Sequence, residues 1–388
     1  MFGKSSCRLF VGILALGAWI LPAATASLAA PSPRVVKIAI LENLKIEKLS
    51  TDKYAKDYMD GLDVAADEAL AMGYQVEFKT FFYGKEPLAI LEQVPAVKTW
   101  NPDVVIGPRS SSLFLMLKGQ FDDRLVLSPF ATANEVSALP SNFYSLTLPN
   151  EFFTRAVVNL VAKRFTGRAV APIIELDCKN CQDFADGFEA MAPKSSVKVR
   201  PRVSFLSKAT ESSDLSSLLK EYAAGDLVLL PNTSYTSGTL IARIADHLKT
   251  AEPTFIGGDG WGDWTSSYVG KVKSQYAYIG YRVTPWSIDA TDARTRSFRE
   301  KFRAVKKAEA TGPASLLAYV AVMAPLKAHA ARAAAPTSGD MKAEMLAAFR
   351  DAVKAKPNFN RPTEYAVYKV TQQGEEYVGS TSAVESKE

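Results

Sequence analysis

From Val35 to Val370, short apolar runs alternate with longer stretches whose apolar residues recur every three to four positions. That alternation restricts the chain to parallel sheets covered by helices, an α/β architecture. Residues 35–41 form a strand pattern broken only by Lys37, and Tyr54, Tyr58, Leu62, Ala65, Ala66 and Ala69 then follow at helical spacing up to Gly73. Further strand patterns fall at 76–82, 104–106, 125–127, 143–146, 170–176, 197–205, 226–230, 255–256, 277–281 and 365–370. Helical patterns fall at 88–98, 111–118, 152–163, 184–191, 214–223 (with Asp214 as N-cap), 238–249, 293–308, 313–332 and 340–354. The final dozen residues are polar and are expected to fray. A chain of 388 residues exceeds one ordinary hydrophobic core, so two domains are expected.

The N-terminus reads as a secretory leader. Lys4 and Arg8 precede an apolar run from Leu9 to Leu21, and Pro22 and the small residues Ala23 to Ser27 follow. The run is shorter than the roughly 20 residues a membrane-spanning helix needs, although an uncleaved anchor is the alternative. Cys7 precedes the apolar run and therefore cannot carry a lipoprotein's lipid. No other segment reads as long and apolar enough to cross a bilayer. The expectation is a chain exported to the periplasm and not embedded in a membrane after cleavage. The formal net charge is +5, to which Lys4 and Arg8 contribute. Such a mild, scattered excess does not point to nucleic acid. Cys178 and Cys181 remain after cleavage. In an oxidising compartment they are expected to form a disulfide, with a redox-active pair or a metal site as alternatives.

Enzymatic chemistry finds little support. His247 and His329 are the only histidines, and neither belongs to a ligand-spaced cluster. There is no nucleophile elbow, Walker loop or dinucleotide fingerprint. No catalytic residue, metal or cofactor is therefore expected. Three strand ends do carry polar turns, and in open parallel sheets ligands bind beyond the carboxyl ends of the strands. The first is Ile106-Gly107-Pro108-Arg109-Ser110-Ser111-Ser112, whose serines and Arg109 suit a carboxylate. The second is Ser128-Pro129-Phe130-Ala131-Thr132-Ala133-Asn134-Glu135, where Ala131 offers a carbonyl and Thr132 a hydroxyl. The third is Gly257-Gly258-Asp259-Gly260-Trp261-Gly262-Asp263-Trp264, in which Asp259 suits an amine and the tryptophans an apolar wall. Helix capping, tight turns and core tryptophans would account for the same residues without any ligand.

These segments resemble the type I periplasmic solute-binding proteins of ABC importers, in particular the branched-chain amino-acid-binding group. Ile106 to Ser111 is similar to that group's Ile-Gly-Pro-x-Ser-Ser, and Ser128 to Glu135 is similar to its Ser-Pro-x-Ala-Thr-Asn-Pro-Glu. Gly257 to Gly260 resembles its second-lobe glycine-acid turn. Thr311-Gly312-Pro313, which opens a long helix with Tyr319, fits in order and spacing. The resemblance implies two doubly wound parallel-sheet lobes joined by three crossing strands, near Leu148, Val283 and Asn358. The implied boundaries are a leader over 1–26, one lobe over 34–148 plus 284–358, and the other over 149–283 plus 359–388. Ser110 and Ser111 would meet a solute carboxylate, Ala131 and Thr132 the α-amino or carboxylate group, and Asp259 the amine. Phe184 and Tyr235 would be further contacts. The resemblance also implies a monomer that binds a small-molecule solute and delivers it to an inner-membrane ABC permease. A sensor, a thiol–disulfide enzyme or a structural envelope protein are the rival readings. The chain departs from the family after the first strand, where Glu42 and Lys45 replace the usual Ser/Thr-Gly turn and would sit near the cleft mouth. Arg109 adds a further charge. These departures leave open whether the solute is an aliphatic amino acid or another polar or acidic metabolite.

Overall fold

The structure is a computed structural model that describes residues 32–43, 52–84, 86, 88–249, 252–262, 273–332 and 339–384. The expected leader lies outside them. The first half contains β1 (Arg34–Ile40), α1 (Lys53–Ala71), β2 (Tyr74–Thr80), α2 (Ala89–Trp100), β3 (Val104–Ile106), α3 (Ser111–Met116), β4 (Leu125–Ser128) and β5 (Phe143–Ser145). Its strands form one sheet in the order β2-β1-β3-β4-β5, with every neighbouring pair parallel. Alternate residues of β1 point to opposite faces. Val36, Ile38 and Ile40 join a core with α1, while Ala39 faces the core under α2 and α3.

A second set follows: α4 (Asn150–Arg164), β6 (Ala169–Glu175), α5 (Lys179–Met191), β7 (Lys198–Val199), β8 (Val203–Phe205), α6 (Leu215–Leu218), β9 (Leu227–Leu229), α7 (Ser234–Leu248), β10 (Thr254–Gly257) and β11 (Ile279–Thr284). The chain then returns to the first sheet with α8 (Ala293–Lys306), α9 (Pro313–Arg332) and α10 (Met341–Ala355), and ends in β12 (Glu364–Thr371) and β13 (Gly374–Ser382). The second sheet runs β13-β12-β11-β10-β9-β6-β7, with β8 also on β6. The molecule therefore has two sheets, each with its own cores, and the chain passes between them three times.

Several expectations change. The expected strand over 197–205 is two short strands, because Pro201 between them has no N–H to donate to a ladder. The expected helix at 214–223 is cut to one turn capped by Asp214. The tail does not fray where described. It forms β13, paired antiparallel to β12, which is itself antiparallel to β11. The second sheet is therefore mixed rather than wholly parallel. α9 is long and apolar enough to cross a membrane, contrary to expectation. It is instead a core helix, with 14 residues from Ala314 onward to Ala328 buried among α1, α8 and α10, save Lys327. Gly61 permits this packing, since a Cβ there would lie 2.1 Å from the Ser315 carbonyl oxygen. His329 is buried on α9 between the Tyr74 hydroxyl (2.8 Å) and the Glu344 carboxylate (3.1 Å).

The three passages between sheets lie side by side and are bonded together. Trp286 Nε1 donates to Thr147 Oγ1 (2.8 Å), whose own hydroxyl donates to the Pro129 carbonyl (2.9 Å). Tyr144 donates to the Phe359 carbonyl (2.8 Å), and Arg361 Nε donates to the Ser145 carbonyl (2.7 Å) while its guanidinium stacks on Tyr144.

Candidate solute-binding site

Because β1, β3 and β4 are parallel neighbours, the segments that leave their carboxyl ends start side by side. Leu41 N donates to the Ile106 carbonyl (2.8 Å), and Gly107 N to the Leu127 carbonyl (2.7 Å). Gly107 has φ +99°, and a Cβ there would lie 2.1 Å from the Leu41 carbonyl oxygen. Only glycine fits this turn.

Two serines join the loops after β3 and β4. Ser128, fully buried, donates its hydroxyl to the Pro108 carbonyl (2.6 Å) and accepts from Ala131 N (2.9 Å). Ser111 Oγ accepts from Thr132 N (2.9 Å) and Ala133 N (3.0 Å). The oxygen expected to face a carboxylate is thus an acceptor for the neighbouring loop, while its proton remains available to donate. Ser110 is exposed, and its hydroxyl pairs with that of Ser112 at 2.9 Å. The Ala131 methyl is buried in the core below. Thr132 is buried and its carbonyl accepts from Asn150 N (2.7 Å), while its hydroxyl has no hydrogen-bond partner among the described residues.

Glu42 does not sit at a cleft mouth. It is 1% exposed, and its Oε2 accepts from Arg109 Nε at 3.1 Å. Arg109 stacks on Tyr54, with the guanidinium carbon 3.9 Å from the ring centroid. Burial pushes the Glu42 carboxyl above its ordinary value, against the opposing pull of Arg109. Burial also pushes the Tyr83 hydroxyl up, to about 12, with Glu42 adding to the effect. Sequence reasoning singled out Glu42 and Arg109 separately. The signal for their partnership was a charge immediately after each of two neighbouring apolar strands. Lys45 lies outside the described residues.

In the second sheet, Asp259 opens a short 3-10 turn after β10; its side chain lies outside the description, as does Trp264. Trp261 is not a pocket wall. It is fully buried, its Nε1 donates to the Leu230 carbonyl (2.8 Å), and its ring fills the space that Gly257 and Gly280 leave. Phe184 is likewise in the core, 5.8 Å from Phe153 in an edge-to-face pair. Tyr235 is exposed on the first turn of α7, and its hydroxyl donates to Glu211. Glu175, buried at the end of β6, was missed; it accepts from Thr233 N (3.3 Å) and Thr233 Oγ1 (3.2 Å). Cys178 caps α5, and its Cα lies 5.2 Å from that of Cys181. Glu175 and the two cysteines bring their ligand atoms within 4.8 Å of one another.

No protein-family model and no curated protein sequence matches this chain. Solved structures do. The branched-chain amino-acid transporter substrate-binding protein LivJ of Streptococcus pneumoniae, in complex with isoleucine, superposes with TM-score 0.66 at 17% identity, over 89% of this chain and 99% of that one. The leucine-binding protein LivK of Thermotoga maritima gives 0.69 at 16%, over 89% and 99%. A solute-binding protein of an R. palustris ABC transporter, in complex with benzoate, gives 0.66 at 15%, over 91% and 98%. With two sheets, three passages between them and this overlap, the chain has the type I periplasmic-binding fold.

Proposed function

We propose that this chain is an extracytoplasmic solute-binding protein. It captures an amino acid or small carboxylate between its two lobes and delivers it to an ABC importer by hinge closure. The observation that carries this reading is the pair of stitched loops after β3 and β4, which hold the Thr132 hydroxyl beyond a strand end without a partner among the described residues. Open and closed forms present different surfaces to an inner-membrane permease, and no bond is broken. The lobes are 34–148 plus 284–358 and 149–283 plus 359–388, and residues 1–26 are the leader that sends the chain to the periplasm. Ser110, Ser111, Arg109, Ala131 and Thr132 act from the first lobe. Asp259 and Tyr235 act from the second, with Asp259 holding a solute amine. The protein works as a monomer, and Cys178 and Cys181 form a structural disulfide that leaves no thiolate for a metal. The test is a thermal-shift screen of amino acids and small carboxylates with the mature chain. At least one should raise the melting temperature. If none does, the reading fails.

A further inference from the structure

Three buried oxygens beside the β3 loop have no hydrogen-bond partner among the described residues: Glu42 Oε1, Tyr54 OH and Tyr58 OH. They belong to one cluster. Glu42 follows β1, and Tyr54 and Tyr58 lie four residues apart on α1 with ring centroids 6.0 Å apart. Arg109 joins them through Glu42 Oε2 and the Tyr54 ring. Its Nε and one face are committed, its terminal nitrogens bond to no described residue, and its side chain is 40% exposed. A carboxylate oxygen and two phenols left dry in this way are costly, and folded proteins meet such groups with water or a ligand.

Resting on the solute-binding reading above, we propose that this cluster is a second recognition point of the same cleft. It accepts a hydrogen-bond-donating group (hydroxyl, amide or ammonium) at the far end of the solute. Glu42 Oε1 is an acceptor whose partner oxygen already holds Arg109, so the atom left over calls for a donor. A second carboxylate there would face Glu42's own charge. An aliphatic end would seal three oxygens away from any partner, and a site built to hydrogen-bond rejects the analogue that lacks the group. Spacing sets which end of the solute arrives. β3 separates β1 from β4, and strands lie about 4.8 Å apart, so the Glu42 segment starts roughly 10 Å from the Thr132 segment. That span exceeds the distance from a carboxylate to an α-amino group. The class is therefore a carboxylate or amino acid with a distal donor, rather than a plain branched-chain amino acid.

Matched pairs test this by calorimetry on the mature chain: tyrosine and phenylalanine, 4-hydroxybenzoate and benzoate, lysine and norleucine. In at least one pair, the donor-bearing member should bind tenfold or more tightly. Tyr58→Phe and Glu42→Gln should each cut that ratio at least fivefold. Tyr58→Phe, which removes an unpartnered oxygen, should leave the unliganded melting temperature unchanged or higher, so it serves even if Glu42→Gln folds poorly. Equal affinities within every pair, or a ratio that both variants leave intact, would overturn the inference while the solute-binding reading stands. Absence of binding by every solute tried here and in the wider screen would remove both.

Discussion

At the scale of single residues, Ser111 and Thr132 have separable roles. Ser111→Ala leaves two backbone N–H groups without their acceptor, so it should lower stability by about 1–2 kcal/mol and also weaken solute binding. Thr132→Val keeps the shape and removes a hydroxyl that bonds to nothing described. It should change stability by less than about 1 kcal/mol while weakening binding. Chemical denaturation and calorimetry together separate the two outcomes. Trp261→Ala belongs to the core instead. It should cost about 3–5 kcal/mol in denaturant unfolding, because a large cavity opens beside Gly257 and Gly280. Asp123 carries a pH effect. Its bidentate bond from Arg124 (2.8 and 2.7 Å), with Lys342 nearby, holds its carboxyl down at about 2. A folded-state value below the ordinary one means a contribution present above the ordinary carboxylate range and lost as pH falls through about 2. Asp123 is half-exposed although Arg124 is buried, so Asp123→Asn should cost under about 1 kcal/mol at neutral pH and only a fraction of that near pH 2. Melting curves at the two pH values check this.

At the scale of elements, the contact of α1 with α9 depends on a missing side chain. Gly61→Ala pushes a methyl against the Ser315 backbone and should destabilise by about 1–3 kcal/mol in denaturant unfolding. Elements with strong apolar periodicity were legible in the sequence: β1, α1, β3, β4 and the helices from α8 to α10 sit within a few residues of their expected places. The elements that were not legible each have a physical cause. β13 is an edge strand with only Thr381 among its residues buried, so no alternation marks it. α5 starts five residues before Phe184, because its cap is the Cys178 sulfur, which accepts from Cys181 N, rather than one of the usual capping side chains. At the site, the strand-end loops were readable from Gly-Pro and Ser-Pro punctuation. Their cross-stitching was not, because it joins residues about 20 positions apart. Trp261 was misread because glycines that admit a ligand and glycines that admit an indole look alike.

At the scale of the whole molecule, the bonds between the three passages would govern the hinge closure proposed above. Arg361→Ala removes a stacked cation and its bond to the Ser145 carbonyl. It should shift the open–closed equilibrium of the unliganded protein, read as a change in radius of gyration by small-angle scattering. An unchanged radius would mean that the other passages hold the angle alone. The overlap with the solved structures described above holds at only 15–17% identity. Packing of sheets and passages tolerates wide change in sequence while the fold is kept.

The bond from Asn150 N to the Thr132 carbonyl ties the first turn of α4 to the loop beneath it. Under the hinge closure proposed above, a solute pressing on that threonine would tug directly on the axle about which the far half swings. Sensing and swinging would then begin at one peptide group, with no relay in between.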